Sequence, residues 1–122
     1  MCSEQEIISS YLLFKLIQES GEIDREKLKA NMKILRDHFA NRNQLIEFDF
    51  ITSGKNIYSN RLNEIIDFGI SADIVGEKSG SVIYFLKPGG IEYLEEMSEE
   101  FNNVLTQDFI QIANELIHDI LE

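Results

Sequence analysis

Apolar and polar positions recur with helical periods near the start of this chain. Residues 7–17 are apolar at nearly every angle around a helix, which predicts a helix buried on all sides, and Ser20-Gly21 predicts its end. Asp24 favours a helix N-cap and predicts the start of a second helix. The apolar stripe of that helix has spacings of 4, 3 and 4 residues. It consists of Leu28, Met32, Leu35 and Phe39.

The middle of the chain changes period. Residues 45–51 alternate between apolar and acidic side chains, which predicts a half-buried strand, and the next five residues have the composition of a turn. A third helix is predicted from Tyr58, with Gly69 as its C-terminal cap in a left-handed conformation. Two apolar runs, 74–75 and 82–86, then flank a polar segment that contains glycines, and this pattern predicts a β-hairpin.

The last quarter of the chain has helical periodicity throughout. Pro88 suits the first turn of a helix, and from residue 91 to the end no glycine or proline interrupts the pattern, although Ser98-Glu99-Glu100 could cap a fresh start. The predicted order is helix, helix, strand, helix, hairpin and long helix, which is the plan of a winged helix-turn-helix. The fold class is therefore predicted as mainly α (α+β), with a winged-helix domain in residues 1–90, including a two-stranded wing, and a long, acidic, amphipathic C-terminal helix in residues 91–122.

Three short motifs carry a resemblance to a known family. They are Arg25-Glu26-Lys27-Leu28, then Phe48-Asp49-Phe50 continuing to Gly54 and Tyr58-Ser59, and Tyr84-Phe85-Leu86 leading to Gly90. With them, residues 15–97 resemble small prokaryotic winged-helix proteins of the YwgA type and, more distantly, the Panacea antitoxin domain. The chain lacks the proline that these families usually have before the third helix and the threonine that follows their wing. The resemblance implies a non-enzymatic regulator or an antitoxin-like interaction protein.

Charge divides the chain into two parts. Nine of the 22 acidic residues lie in residues 92–122, which contain no Lys or Arg, and the formal net charge is −11. Such a protein is repelled by nucleic acid unless its cations share one face. Residues 25–42 offer a basic face, which is alternatively a solvated helix surface or a surface that binds the acidic helix of another subunit. The candidate nucleic-acid-binding residues are Arg25, Lys29, Lys33, Arg36, Arg61 and Lys78.

The sequence contains no pattern typical of catalysis or metal binding. His38 and His118 are 80 positions apart, and neither an H-E-x-x-H motif nor a C-x-x-C pair is present. Ser53-Gly54-Lys55 lacks the first glycine of a phosphate-binding loop. We therefore expect no enzymatic activity, no metal and no cofactor. With one cysteine and no apolar run of ~18 residues, the expected location is the cytoplasm, without membrane insertion.

The C-terminal segment predicts a homodimer. Its apolar arc spans about 200°, roughly twice what a helix packed on one surface requires. Six apolar residues at near-heptad spacing form the predicted dimer interface: Phe101, Leu105, Phe109, Ile112, Leu116 and Ile120. The alternative is one thick monomeric core. The predicted function is regulation through protein–protein contacts, in transcription control or in a toxin-antitoxin-like pair. The alternative function is a direct DNA-binding repressor that uses the basic face and the wing.

Overall fold

The computed structural model describes residues 3–41, 50–53, 56–78 and 82–122. The fold in these ranges is mainly helical with two small antiparallel sheets, so the α+β prediction is confirmed at this level. The elements in chain order are α1 (Glu4–Ser20), β1 (Ile23–Asp24), α2 (Arg25–Ala40), β2 (Ile51–Ser53), β3 (Asn56–Tyr58), α3 (Asn60–Ser71), β4 (Val75–Glu77), β5 (Ile83–Leu86), α4 (Pro88–Glu100) and α5 (Gln107–Leu121).

The first helix ends and the second helix begins where the sequence predicts. Gly21 caps α1 with φ of 76°, a conformation that glycine adopts without a steric penalty. Asp24 caps α2, because its Oδ1 accepts a hydrogen bond of 2.9 Å from the backbone N–H of Lys27. All four residues of the predicted α2 stripe are buried. Helix α1 is also buried on most of its surface, as predicted, and it packs against α2, α4, α5 and β5.

The predicted hairpin is confirmed, and it belongs to a three-stranded sheet. Strands β4 and β5 pair antiparallel with Val75 opposite Leu86. Strand β1 adds to the other side of β5 with Ile23 opposite Tyr84. The backbone N–H of Arg25 then donates to the Val82 carbonyl at 3.0 Å. The hairpin is thereby attached to the start of α2, through a two-residue strand that is too short to have a sequence period.

The predicted start of the third helix is wrong by two residues. Tyr58 lies in β3, which pairs with β2, and α3 begins at Asn60 with the Ser59 side chain as its N-cap. The segment predicted as a turn, 52–56, is wrong in part, because Thr52 and Ser53 belong to β2 and Asn56 belongs to β3, whereas residues 54–55 lie outside the described residues. Ile51, the last residue of the predicted strand 45–51, begins β2, whereas residues 45–49 lie outside the described residues.

The predicted cap at Gly69 is also wrong. Helix α3 continues to Ser71, and among the described glycines only Gly21 has a positive φ. Asp73 adopts the left-handed conformation instead, with φ of 64°, and the backbone N–H of Ile74 donates to the Gly69 carbonyl at 2.8 Å. This is a Schellman motif with Asp in the position that glycine usually occupies. Asp visits this conformation more readily than most residues because its short polar side chain bonds locally.

The prediction of a single long C-terminal helix is wrong as well. Helix α4 ends at Glu100, and α5 begins at Gln107. Thr106 is the N-cap of α5, because its hydroxyl accepts a hydrogen bond of 3.1 Å from the Phe109 N–H. The turn between them allows both helices to pack on α1, and α5 also packs on α2. The periodicity concealed this turn because Phe101 and Leu105 continue the apolar pattern across it.

Candidate functional site

Four of the six candidate nucleic-acid contacts share one side of α2, at positions i, i+4, i+8 and i+11. Arg25, the first of them, donates from Nε to the Tyr84 hydroxyl at 2.9 Å, and its guanidinium lies 5.8 Å from the centre of that ring. Lys29 is buried, with Nζ 3.3 Å from Oε1 of Glu26. Arg25 therefore helps to pack α2 against β5, and Lys29 neutralises a neighbouring acid.

The other two cations of this side lie toward the end of α2. Arg36 pairs with Asp37 at 2.9 Å, and its guanidinium lies 4.9 Å from the centre of the Phe50 ring. Lys33 is half-buried and forms no ion pair with a described residue. Arg42, the end of the predicted basic face, lies outside the described residues.

The two candidate cations outside α2 are also paired with acids. Arg61 on α3 contacts Glu64 at 3.1 Å, and Lys78, directly after β4, contacts Glu22 at 2.9 Å. These pairs are partly exposed and contribute little to stability. Their effect on recognition is larger, because each adjacent carboxylate lowers the positive potential that a phosphate would meet. Five of the six candidate cations thus contact an acid or a tyrosine of the same chain.

The two histidines lie on different helices. His38 lies on α2 and His118 on α5, and both are exposed. Within the described ranges, no group of three or more His, Cys, Asp or Glu residues is arranged to hold a metal ion. None of the helices in those ranges is long and apolar enough to cross a membrane.

The sequence did not predict an apolar groove that lies between α1, α3 and α4. Its volume is about 320 Å³, and its wall contains Glu6, Arg61 and Glu64 beside the apolar side chains. Phe68 on α3 is 49% exposed, so the groove keeps a large aromatic side chain in contact with solvent. The apolar lining residues are Ile7, Ile65, Phe68, Tyr93, Met97 and Phe101.

One sequence signal could have indicated this groove. The buried residues of α3 are Leu62, Ile65, Ile66 and Gly69, and Phe68 lies to one side of that stripe. A large aromatic residue beside an otherwise complete apolar stripe extends the apolar surface of the helix, and it indicates a contact surface where further apolar residues adjoin it in one patch. The groove itself depends on how three helices meet, which periodicity along one helix does not report.

The six predicted dimer-interface residues divide into two groups. Leu105 and Phe109 are buried inside the chain, and Phe109 packs between Tyr11 of α1 and Phe39 of α2. Helix α5 therefore contacts two surfaces of its own chain, which accounts for part of its wide apolar arc. Homodimerisation stays a prediction that rests on the remaining four, which are half-buried: Phe101, Ile112, Leu116 and Ile120.

Comparisons with known proteins give no relatives. No family model matches the chain, and no curated protein or solved structure shows significant similarity to it. The resemblance to YwgA-type and Panacea proteins therefore stays a prediction, and the functional interpretation depends on the site itself.

Proposed function

We propose that this chain is a winged-helix protein without enzymatic activity that regulates through protein–protein contacts, in transcription control or in a toxin-antitoxin-like pair. The order of the elements supports the winged-helix assignment. A short strand between α1 and α2 pairs with the second strand of a hairpin that follows α3. In that assignment α3 is the recognition helix and β4–β5 is the wing.

The observation that carries the proposal is the surface of α3. A helix that reads DNA presents cations and amides to the phosphates and base edges. Helix α3 has one cation, Arg61, which contacts Glu64, and it exposes Asp67 nearby. It also exposes two large apolar side chains, Phe68 and Ile70. This combination suits a protein surface better than a polyanion.

Capture of the tagged chain from its own lysate tests this function. The chain is cross-linked, purified with and without nuclease treatment, and both the proteins and the DNA fragments are identified. We expect a protein partner whose recovery does not depend on nuclease. Recovery of DNA fragments with a common sequence, and of no protein after nuclease treatment, would overturn the proposal.

The second candidate is a DNA-binding repressor, favoured by the alignment of Arg25, Lys29, Lys33 and Arg36 along one side of α2. Each phosphate contact contributes about one unit to the slope of log affinity against log salt. Replacing Lys29, Lys33 and Arg36 together by Ala should therefore flatten that slope by up to about three units.

Lys27→Ala is the matched control for this triple variant, because Lys27 is exposed on the opposite side of α2. It should leave the slope almost unchanged. Circular dichroism of the triple variant checks that the loss of the buried Lys29 has not unfolded the helix. Equal DNA affinity of the triple variant and the wild type would eliminate this face as the DNA surface.

We also propose that the chain forms a homodimer through residues 98–121. The part of the predicted interface that the core leaves accessible consists of four half-buried side chains, those of Phe101, Ile112, Leu116 and Ile120. Sedimentation equilibrium at micromolar concentration should give twice the chain mass. A single species near 14.1 kDa would show that the apolar surface of α5 is used only within one chain.

A further inference from the structure

We propose that the groove between α1, α3 and α4 binds an amphipathic helix of a partner protein whose polar side is basic. This inference rests on the proposed function, since it names the surface and the kind of partner for the protein–protein contact. Three features of the groove carry it: its apolar floor, the helical nature of its walls and the sign of the charge at its rim.

The floor offers a firm apolar contact. Tyr93 of α4 packs edge-on against the fully buried Phe14, with 5.9 Å between ring centres. On its other side Tyr93 meets Phe68, with 6.2 Å between ring centres. The exposed Phe68 ring is therefore supported by the core, and a partner side chain that covers it gains apolar burial without first ordering the site.

The walls favour a helix over an extended peptide. An extended peptide binds by adding a strand to an exposed sheet edge, where the backbone offers unpaired N–H and C=O groups. All described residues that line this groove belong to α1, α3 and α4 or to the residue after α4. Most of their backbone groups bond within the helices or to the caps, so recognition depends on side chains. The volume of about 320 Å³ lies at the small end of binding pockets and suits a few anchor residues at i, i+4 and i+7.

The rim determines the charge of the partner. Glu6 and Glu64 lie in the wall of the groove, and Arg61, the one cation among the described lining residues, contacts Glu64. On α4, the exposed Glu96 and Glu100 follow Tyr93 and Met97 by three residues and so neighbour them on the helix surface. The whole chain has a net charge of −11. Lys and Arg beside the apolar anchors of a partner therefore complement this rim, whereas an acidic helix or a nucleic acid placed in the groove is repelled.

A synthetic peptide tests the proposal directly. The probe is a fluorescent 18-residue helical peptide with Leu at i, i+4, i+7 and i+11 and Lys on its polar side. A scrambled peptide of identical composition controls for attraction between opposite charges alone. We expect the amphipathic peptide to bind at least ten-fold more tightly than the scrambled one. Equal affinities would overturn the proposal, because charge alone would then explain the binding.

Two variants of the protein locate the binding site. Phe68→Ser removes the exposed ring of the groove without changing the charge, and it should weaken peptide binding at least ten-fold. Ile34→Ser is the matched control, since Ile34 is an exposed apolar residue on α2, outside the groove. It should change the affinity less than two-fold. Equal effects of the two substitutions would overturn the assignment to this groove.

The test separates this inference from the proposed function. If Phe68→Ser still captures the same protein partner from lysate as the wild type, the groove assignment fails while the proposed function stands. If Phe68→Ser abolishes a homodimer and the peptide does not bind, the groove belongs to a second copy and the inference is overturned. If the peptide binds in the groove but the lysate yields only DNA, the groove assignment holds and the proposed function fails.

Discussion

Two clusters of three aromatic rings each connect three helices, and they differ in how they are covered. In the first cluster, Phe109 of α5 lies with its ring centre 6.5 Å from that of Tyr11 on α1 and 5.2 Å from that of Phe39 on α2. All three rings are buried. We call these three residues the closed cluster.

The second cluster also contains a residue of α1, but its outermost ring is exposed to solvent. Tyr93 of α4 lies between Phe14 of α1, which is completely buried, and Phe68 of α3, which is about half exposed. We call these three residues the open cluster. Its ring-to-ring distances of 5.9 and 6.2 Å resemble those of the closed cluster, so the two differ mainly in what covers the last ring.

The difference in burial between the two clusters implies different roles, one in stability and one in recognition. A buried aromatic ring contributes several kcal/mol to folding, because its removal costs both the transfer free energy and a cavity. A half-exposed ring contributes much less to folding and keeps apolar surface that a partner can bury. The closed cluster therefore holds α5 to the body of the protein, and the open cluster provides the contact surface proposed for a basic helix.

The largest effect is expected in the closed cluster. Phe109→Ala should lower the free energy of unfolding by about 3–5 kcal/mol, because it leaves a cavity between α1, α2 and α5. Urea denaturation followed by circular dichroism measures this loss. Ile112→Ala, at a half-buried position of the same helix, is the control and should cost less. A loss below about 1 kcal/mol for Phe109→Ala would mean that α5 does not pack on α1 and α2 as described.

Gly69→Val should have the next largest effect, about 1–3 kcal/mol, for a reason that the sequence did not show. A Cβ atom at this position would lie 2.9 Å from Cε1 of Phe14 and 2.9 Å from Cγ2 of Val75. Phe14 belongs to the open cluster and is fully buried, so it has little room to shift. Thermal unfolding measures the loss.

Asp73→Gly is the control for Gly69→Val. Asp73 holds the positive φ that the sequence assigned to Gly69, and glycine accepts this conformation. The substitution removes an exposed contact between Asp73 and Lys87, which contributes little. The free energy of unfolding of the Asp73→Gly variant should therefore stay within about 1 kcal/mol of the wild-type value. A wild-type melting temperature for Gly69→Val would show that Phe14 and Val75 can make room.

The elements that the sequence predicted correctly depend on neighbours along the chain. The C-terminal end of α1 and the start of α2 follow from Gly21 and Asp24, whose effect is confined to one helical turn. The β4–β5 hairpin follows from two apolar runs on either side of a polar segment. These features need no knowledge of the rest of the fold.

The features that the sequence missed depend on distant residues. The sequence marks Arg25 as a candidate DNA contact, but in the structure its Nε donates a hydrogen bond to Tyr84, which lies 59 positions later in the chain. Strand β1 exists because β5 lies beside it. The groove requires α1, α3 and α4 to meet, and the turn after α4 lies inside an unbroken apolar period. Local pattern contains none of this information.

A smaller, pH-dependent effect is expected at Tyr11 of the closed cluster. Burial, and then the negative charge of Glu19, raise the pKa of Tyr11 above its ordinary value of 10.0. The folded state holds this proton more tightly than the unfolded state, so its contribution to stability is complete below pH 10 and is lost as the pH rises through the folded pKa. Tyr11→Phe should therefore lose less stability than the wild type between pH 9 and pH 11, measured by urea unfolding. Parallel pH profiles of the two proteins would contradict this.

The smallest effect on stability is expected in the open cluster, and it provides the sharpest comparison with Phe109→Ala. Phe68→Ser removes a ring that is 49% exposed, and serine and phenylalanine have similar helix propensities. The free energy of unfolding should fall by no more than about 1 kcal/mol, close to the value for Ile34→Ser on the surface of α2. The far-ultraviolet spectrum should stay that of the wild type.

The same Phe68→Ser variant should nevertheless lose at least ten-fold in affinity for the basic amphipathic peptide, whereas Ile34→Ser should not. Large binding loss with little stability loss is the behaviour of a ring exposed for recognition, because its remaining apolar surface is buried only in the complex. A stability loss near that of Phe109→Ala would show that Phe68 serves the core. The open cluster would then be a more exposed part of the core, and the main observation that supports the groove as a binding site would no longer hold.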